Sequence, residues 1–313
     1  MRSRLPLWLP RERPYDELTM ATELSSFDFW KMQGCGNDFV LAEADSLNAG
    51  WEDVARQICD RHFGVGADGL ILVLPSERAD RRMVMYNPDG SDGVMCGNGL
   101  RCFVKYLHDR GVVSAEGRTV TVETGVGIYP ADATFDADGL VERVRVGMGE
   151  PMFEAADLDA RVEQAAPILD LPIEAAGESL NVTLVSMGNP HSVQFIDVAP
   201  ADFDLDRIGP AVEHHALFAD RTNFEVVHVL DRSTVEMRVW ERGVGETLAC
   251  GSGACAVAVA ARLHGHVDDN VEVRVPGGTL MIEWDGEGQT FLEGPATLVF
   301  ESHWKSATKG TTA

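Results

Sequence analysis

Cysteine is scarce here: there are six in 313 residues, and no two are spaced Cys-x-x-Cys. That excludes a disulfide scaffold, a zinc ribbon and a thioredoxin-type motif. Thiols left unpaired fit a reducing compartment, so a cytoplasmic location is expected. Basic residues are also few, 26 Lys and Arg against 50 Asp and Glu, for a net charge of -24. Such a chain repels phosphate backbones and anionic lipid, so neither nucleic acid nor a membrane is an expected partner. No apolar run reaches the length of a membrane span. What remains is an ordinary globular composition, 45% hydrophobic, long enough for a sizeable core and one or two domains.

The first stretch, to about Thr19, mixes four Arg, three Pro and three acids, and its one apolar run is broken by Pro6. It fits neither a secretory leader nor an acid-poor transit peptide. Residues 1–27 are expected to form a disordered extension, or Met20 to be the true start.

Against that background one stretch occurs twice. Met95-Cys96-Gly97-Asn98-Gly99-Leu100-Arg101-Cys102 is echoed by Ala249-Cys250-Gly251-Ser252-Gly253-Ala254-Cys255. Each copy puts a cysteine before a Gly-x-Gly turn and runs into an apolar, helix-like segment. Asn87 and Glu241 precede their cysteines by the same spacing, each at the end of a strand-like run. Gly36-Asn37-Asp38 and Gly188-Asn189-Pro190-His191 repeat at nearly the same offset. Landmarks that keep one offset imply a duplicated domain, not a solenoid. Two related halves would bring two thiols to one interface under a pseudo-two-fold axis.

Along the chain, periodicity predicts strands over Phe27 to Ala42, turning at Gly34-Cys35-Gly36-Asn37, and a helix from Trp51 to His62. Gly64-Val65-Gly66-Ala67-Asp68-Gly69 has the letters of a dinucleotide-binding loop. It follows a helix and precedes a strand, the reverse of that order, so it reads as a turn. A helix is expected over Leu100 to Arg110, stopped by Gly111, then strands from Thr119 to Phe135 and from Leu140 to Phe153. Glu154 to Glu178, acidic and Ala-rich, is expected to be a surface connection. A helix over Asp204 to Phe218, a hairpin around Asp231-Arg232-Ser233 and four closing strands follow. The segment Ala254 to Ala261 is apolar on nearly every face, so it should be buried all round. The fold class is α+β: two pseudo-symmetric domains, each a curved, barrel-like, mostly antiparallel sheet around a central helix that starts at a cysteine. The expected division is 28–141 plus 293–304 for the N-terminal lobe and 142–292 for the C-terminal lobe.

A thiol at a helix N-terminus lies where free N–H groups point outward, and such a thiol tends to a lowered pKa. The same N–H groups make a carboxylate site. An amino acid held between Cys96 and Cys250 could rest its carboxylate on the N–H groups of Gly97, Asn98, Gly251 and Ser252. One thiolate would remove the α-proton, the carboxylate would take up the charge, and the opposite thiol would reprotonate the other face. That chemistry needs neither a cofactor nor a metal. His191 and Glu241 stand where they could tune the two thiols. Cys102 and Cys255 read as core residues; Cys35 and Cys59 take no role.

The wider set of motifs resembles diaminopimelate epimerase. It comprises Lys31-Met32-Gln33-Gly34-Cys35-Gly36-Asn37-Asp38-Phe39, Asp60 to Asp68, Cys96-Gly97-Asn98-Gly99-x-Arg101-Cys102, Gly188-Asn189-Pro190-His191 and Glu241-Arg242 to Gly251. The resemblance spans about residues 28 to 304. It implies interconversion of LL- and meso-diaminopimelate, toward lysine and cell-wall peptide, with Cys96 as proton donor and Cys250 as acceptor in one direction. It also implies that Asn37, Asn87, Asn189, Asn223, Glu241 and Arg242 hold the small-molecule substrate, and that the protein is a homodimer. The chain departs from the family at Gln33, often His; at Gly69, where some relatives carry a substrate-contacting Gln; and at Phe300, where a Tyr linked to dimerisation can stand. Rival readings are a racemase of the same fold acting on proline, hydroxyproline or histidine, and a noncatalytic protein that kept the cleft.

Overall fold

The computed structural model of the protein describes residues 26–93, 96–114 and 117–305. The N-terminal stretch before residue 26 and Met95 of the first motif lie outside the described residues. In the first half the elements run β1 (Ser26–Gly34), β2 (Asn37–Glu43), α1 (Trp51–Ile58), β3 (Gly69–Leu74), β4 (Arg81–Tyr86), β5 (Asp92–Gly93), α2 (Gly97–Asp109), β6 (Thr119–Thr124), β7 (Gly127–Phe135) and β8 (Val141–Gly149). The second half runs β9 (Leu171–Ala175), β10 (Glu178–Ser186), β11 (Pro190–Phe195), α3 (Leu205–Glu213), β12 (Asn223–Asp231), β13 (Thr234–Glu241), β14 (Gly245–Thr247), α4 (Gly251–Leu263), β15 (Asn270–Val275), β16 (Gly278–Glu283), β17 (Thr290–Pro295) and β18 (Thr297–Lys305).

The two halves share one wiring. In the first, β1–β2, β3–β4, β4–β5, β6–β7 and β7–β8 pair antiparallel while β2–β3 and β4–β6 are parallel. In the second, β10–β11, β12–β13, β13–β14, β15–β16 and β16–β17 pair antiparallel while β11–β12 and β13–β15 are parallel. Strand for strand and helix for helix, α4 therefore stands where α2 does. The halves join through the antiparallel pair β8–β17, and β18 crosses back onto β1.

A strand here can pack against helices on both sides because successive side chains point to opposite faces. On β3, Leu70, Leu72 and Leu74 pack with α1, while Ile71 and Val73 pack with α2. A strand covered on both faces reads as an unbroken apolar run, as Leu70 to Leu74 does. Helix α2 is buried from Gly97 to His108, and every residue from Ala254 to Ala261 of α4 is buried. Full burial of each large side chain, such as Leu100, Phe103 and Leu107, contributes about 1.5–3 kcal/mol. Among the described residues no helix is long and apolar enough to cross a membrane.

Three elements differ from expectation. Helix α1 stops at Ile58, because the Asp60 carboxylate accepts from the N–H groups of His62 and Phe63 and turns the chain. Helix α3 ends at Glu213, after which the His215 ring accepts from the Leu217 N–H. The 154–178 stretch is not a surface connection: Leu158 and Ile168 are fully buried against α3's core, and β9 pairs with β10. Its scattered apolar residues found a partner surface that its acidic composition concealed.

Candidate active site

Cys96 and Cys250 are the N-caps of α2 and α4, with closely similar backbones: φ −126, ψ 118 and φ −118, ψ 116. In each, the N–H three residues on donates to the sulfur: Gly99 to Cys96 Sγ at 3.5 Å and Gly253 to Cys250 Sγ at 3.4 Å. The remaining N–H groups of the first turn have no partner within the helix and point out of its end.

The two helix ends meet. Asn98, in the first turn of α2, donates from Nδ2 to the Ala249 carbonyl, the residue before Cys250, at 3.3 Å. A side chain on Gly251 would meet Asn98 Oδ1 and Met148, and one on Gly97 would meet Met148 as well. Met148 thus lies against both helix starts. Leu248 presses on Gly36, so the β1–β2 turn of one half closes over the loop before Cys250 of the other.

Around Cys96 the network is amide-based. The thiol reaches Asn37 Oδ1 at 3.6 Å, and Asn98 Nδ2 donates to the same oxygen at 3.0 Å. Asn37 is oriented by donating to Asp68 at 2.8 Å, which in turn holds Arg61 at 2.6 Å. Arg61 and Lys31 also engage Asp38. Burial would raise the Asp38 carboxyl, but the hydrogen bonds from Arg61 and Lys31 prevail and hold it at about 2. Asn98 is fixed from behind by the fully buried Arg101, whose Nη1 donates to Asn98 Oδ1 at 3.0 Å and whose Nε donates to Pro295 O at 3.1 Å.

Around Cys250 the network is ionisable. The thiol lies 3.5 Å from Ser252 Oγ, and Asn189 Nδ2 donates to that hydroxyl at 3.4 Å. His191 Nε2 lies 3.2 Å from Asn189 Oδ1, and His191 Nδ1 lies 2.7 Å from Glu225 Oε1. Glu241 bonds Thr247 and neighbours the Cys250 thiol; burial raises it above the usual carboxylate range, and those two contacts partly offset that.

The expected lowering of the thiol pKa values does not hold in this closed site. Burial pushes both thiols up, against the N–H groups of the helix starts and, for Cys96, the Arg101 charge. For Cys250 the carboxylates of Glu241 and Glu225 push in the same upward direction. Desolvation of a sulfur anion outweighs two helix-terminal N–H groups when no cation touches it.

Other expected residues fall close by, with their side chains engaged. Asn223 donates to Pro190 O at 2.8 Å and accepts from the Arg242 N–H at 2.9 Å, tying β11 to the Glu241-Arg242 loop. The Arg242 guanidinium reaches Asp220 at 3.2 Å. Asn87 is the exception: its amide bonds Ser91 and Asp92 within its own turn and none of the residues around either sulfur. Gln33 Oε1 accepts from the Gly36 N–H, and Phe300 is half-exposed against Phe29. Sequence reasoning missed Asp68, which aims Asn37, and Glu225, which holds His191. Glu225 alternates with apolar residues on its strand, the pattern of a solvent face. Its counterpart run at Leu70 to Leu74, apolar throughout, was the signal that both faces are covered.

The family model for diaminopimelate epimerase matches residues 29–154 and 183–299. Among curated relatives, the diaminopimelate epimerase of Moorella thermoacetica is 49% identical over 276 residues, covering 87% of this chain and 97% of the relative. That of Methanococcus maripaludis is 45% identical over 275 residues, covering 87% and 98%. Among solved structures, a phenazine biosynthesis protein of the PhzF family from Bacillus anthracis aligns with a TM-score of 0.64 at 20% identity, covering 89% of this chain and 99% of that one. A hydroxyproline epimerase from Agrobacterium vitis aligns with a TM-score of 0.63 at 15% identity, covering 90% and 93%. The last two share the fold.

Proposed function

The chain belongs to the diaminopimelate epimerase family, and from that premise we propose how its own residues carry the reaction. The activity is epimerisation of diaminopimelate between its LL and meso forms, an isomerase reaction on the way to lysine. The observation that carries the residue assignment is the pair of matching N-caps, Cys96 and Cys250, on helix starts that touch.

The reacting carboxylate lies on the N–H groups of Gly97, Asn98, Gly251 and Ser252, the positive ends of α2 and α4. Cys250, as thiolate, takes the α-proton: the C–H bond breaks, an S–H bond forms, and the electron pair passes into the carboxylate as an enediolate. The helix ends stabilise that charge where it develops. Cys96 then gives its thiol proton to the opposite face, forming the new C–H bond and leaving Cys96 as the thiolate. The reverse direction exchanges the roles. Cys250 is buried and Cys96 half-buried, so the surroundings of both sulfurs hold little water and each of these interactions is strengthened.

Asn37, Asn189, Asn223, Glu241 and Arg242 hold the rest of the substrate, and Asn87 joins them by giving up its bonds to Ser91 and Asp92. Arg242 offers its guanidinium to the distal carboxylate, displacing Asp220. That exposed pair is weak enough to yield, and a bidentate carboxylate is the better partner. The six unpaired cysteines support a reducing, cytoplasmic setting. The exposed Leu298, Val299 and Phe300 on β18 support a homodimer.

The test is exchange of solvent deuterium into the α-position of diaminopimelate. Wild type exchanges and epimerises; Cys96→Ala and Cys250→Ala each abolish epimerisation. Full activity in either single variant overturns the two-thiol assignment, and exchange into proline instead overturns the substrate.

A further inference from the structure

The two thiols sit in matching frames but over different floors. Under α2, a side chain on Gly99 would meet Ile71 Cδ1 at 2.9 Å and Phe39 at 3.5 Å. Under α4, a side chain on Gly253 would meet Glu225 Oε1 at 2.8 Å. The strand registers make these the same places. Phe39 pairs with Gly69 and Leu41 with Ile71 across β2 and β3; His191 pairs with Asn223 and Val193 with Glu225 across β11 and β12. His191 therefore replaces Phe39, and Glu225 replaces Ile71, in the duplicated half. A buried apolar pair under Cys96 has become a buried ionisable pair under Cys250.

That replacement is costly unless it serves a purpose. Glu225 and His191 are both fully buried, and Glu225 Oε2 has no hydrogen-bond partner among the described residues. An unsatisfied buried carboxylate oxygen is destabilising, and the apolar pair in the other half shows that the fold does not need it. The pair heads a continuous chain: Glu225 Oε1 to His191 Nδ1, His191 Nε2 to Asn189 Oδ1, Asn189 Nδ2 to Ser252 Oγ, Ser252 Oγ to Cys250 Sγ. Asn189 donates to Ser252, which turns its Oδ1 toward His191 and makes Nε2 the donor. Glu225 can hold Nδ1 only through a proton on that nitrogen when the carboxyl is ionised. Every link then donates toward the sulfur.

We propose that Glu225 is a positioning residue that makes the two thiols unequal: as a carboxylate it holds His191 with protons on both ring nitrogens, Nδ1–H on Glu225 and Nε2–H heading a one-way hydrogen-bond chain through Asn189 and Ser252 that ends on Cys250. This rests on the two-thiol reading and deepens it. The chain delivers a hydroxyl donor to Cys250 whenever that sulfur is the thiolate. Among the described residues Cys96 has no such chain, because its floor is Phe39 and Ile71 and the side chain it hydrogen-bonds is the Asn37 amide oxygen, an acceptor.

Two measurements test it, and the first does not depend on activity. In the wild-type protein labelled with 15N at histidine, the His191 signals, assigned by their loss in His191→Asn, are expected to show both ring nitrogens protonated. A neutral ring with either nitrogen bare overturns the proposal whatever the enzyme does. In the second, Glu225→Gln keeps the shape and removes the charge. It is expected to lower kcat about tenfold, less than a direct acid–base group would, with KM within about twofold. The double variant Glu225→Gln/His191→Asn is expected to be no slower than His191→Asn alone, since Glu225 acts through the ring. Losses that multiply, or full kcat in Glu225→Gln, overturn it. If Glu225→Gln does not fold, the wild-type ring protonation decides. Absence of α-proton exchange in Cys250→Ala and wild type alike would sink the two-thiol reading and leave the ring-protonation result standing.

Discussion

At the scale of single residues, the thiols are set by a contest between burial and the few groups that favour a sulfur anion. For Cys96 those groups are the first-turn N–H donors and the Arg101 guanidinium, which has no carboxylate partner among the described residues. Arg101→Met removes a cation that favours the thiolate, so the Cys96 thiol rises further above its ordinary range. Less of the enzyme then carries a thiolate at a given pH. The rise of activity with pH is expected to move upward by on the order of one unit, measured as kcat/KM against pH; a shift downward would count against the Arg101 contribution. Much of this residue-level site is legible in the sequence, because a cysteine before Gly-x-Gly announces both the cap and the anion site. Glu225 and Asp68 are not legible in that way. Each acts by touching a residue distant in the chain, and neither carries a local signature.

At the scale of elements, α2 and α4 share a start but differ in what lies beneath. Gly99→Ala meets the tip of Ile71, which can rotate aside, and is expected to cost roughly 1 kcal/mol. Gly253→Ala meets a carboxylate oxygen pinned to His191 and is expected to cost more, about 2 kcal/mol or above, because the displaced oxygen loses its partner in a dry site. Thermal unfolding of the two variants compares them directly, and equal melting temperatures would mean that the floor under α4 yields as easily as the one under α2. The helices themselves were legible from periodicity. Their ends were less so, since Ile58 and Glu213 stop where a side chain captures a backbone group a few residues on.

At the scale of the whole molecule, the site exists only where the halves close on each other. The β1–β2 turn lies against the loop before Cys250 and the turn after β15: a side chain on Gly277 would sit 1.8 Å from the Cys35 carbonyl. That neighbour is backbone and cannot rotate away. Gly277→Ala is therefore expected to hold the halves apart and remove most activity while leaving each sheet paired, seen as lost turnover with retained far-ultraviolet circular dichroism and faster limited proteolysis between the halves. Wild-type turnover in that variant would show that closure at this seam is not needed.

The sequence alone determined the duplication, the two caps, the buried α4 and the chemistry that two such caps permit, because these follow from spacing and from the geometry of one helix turn. The tertiary structure decided what lies behind each thiol: an apolar floor for one, a carboxylate and an imidazole for the other. It also decided that burial, not the helix ends, sets the direction of both thiol shifts. Those outcomes depend on which strand lies under which helix and on how much water is excluded, and neither quantity is local in sequence.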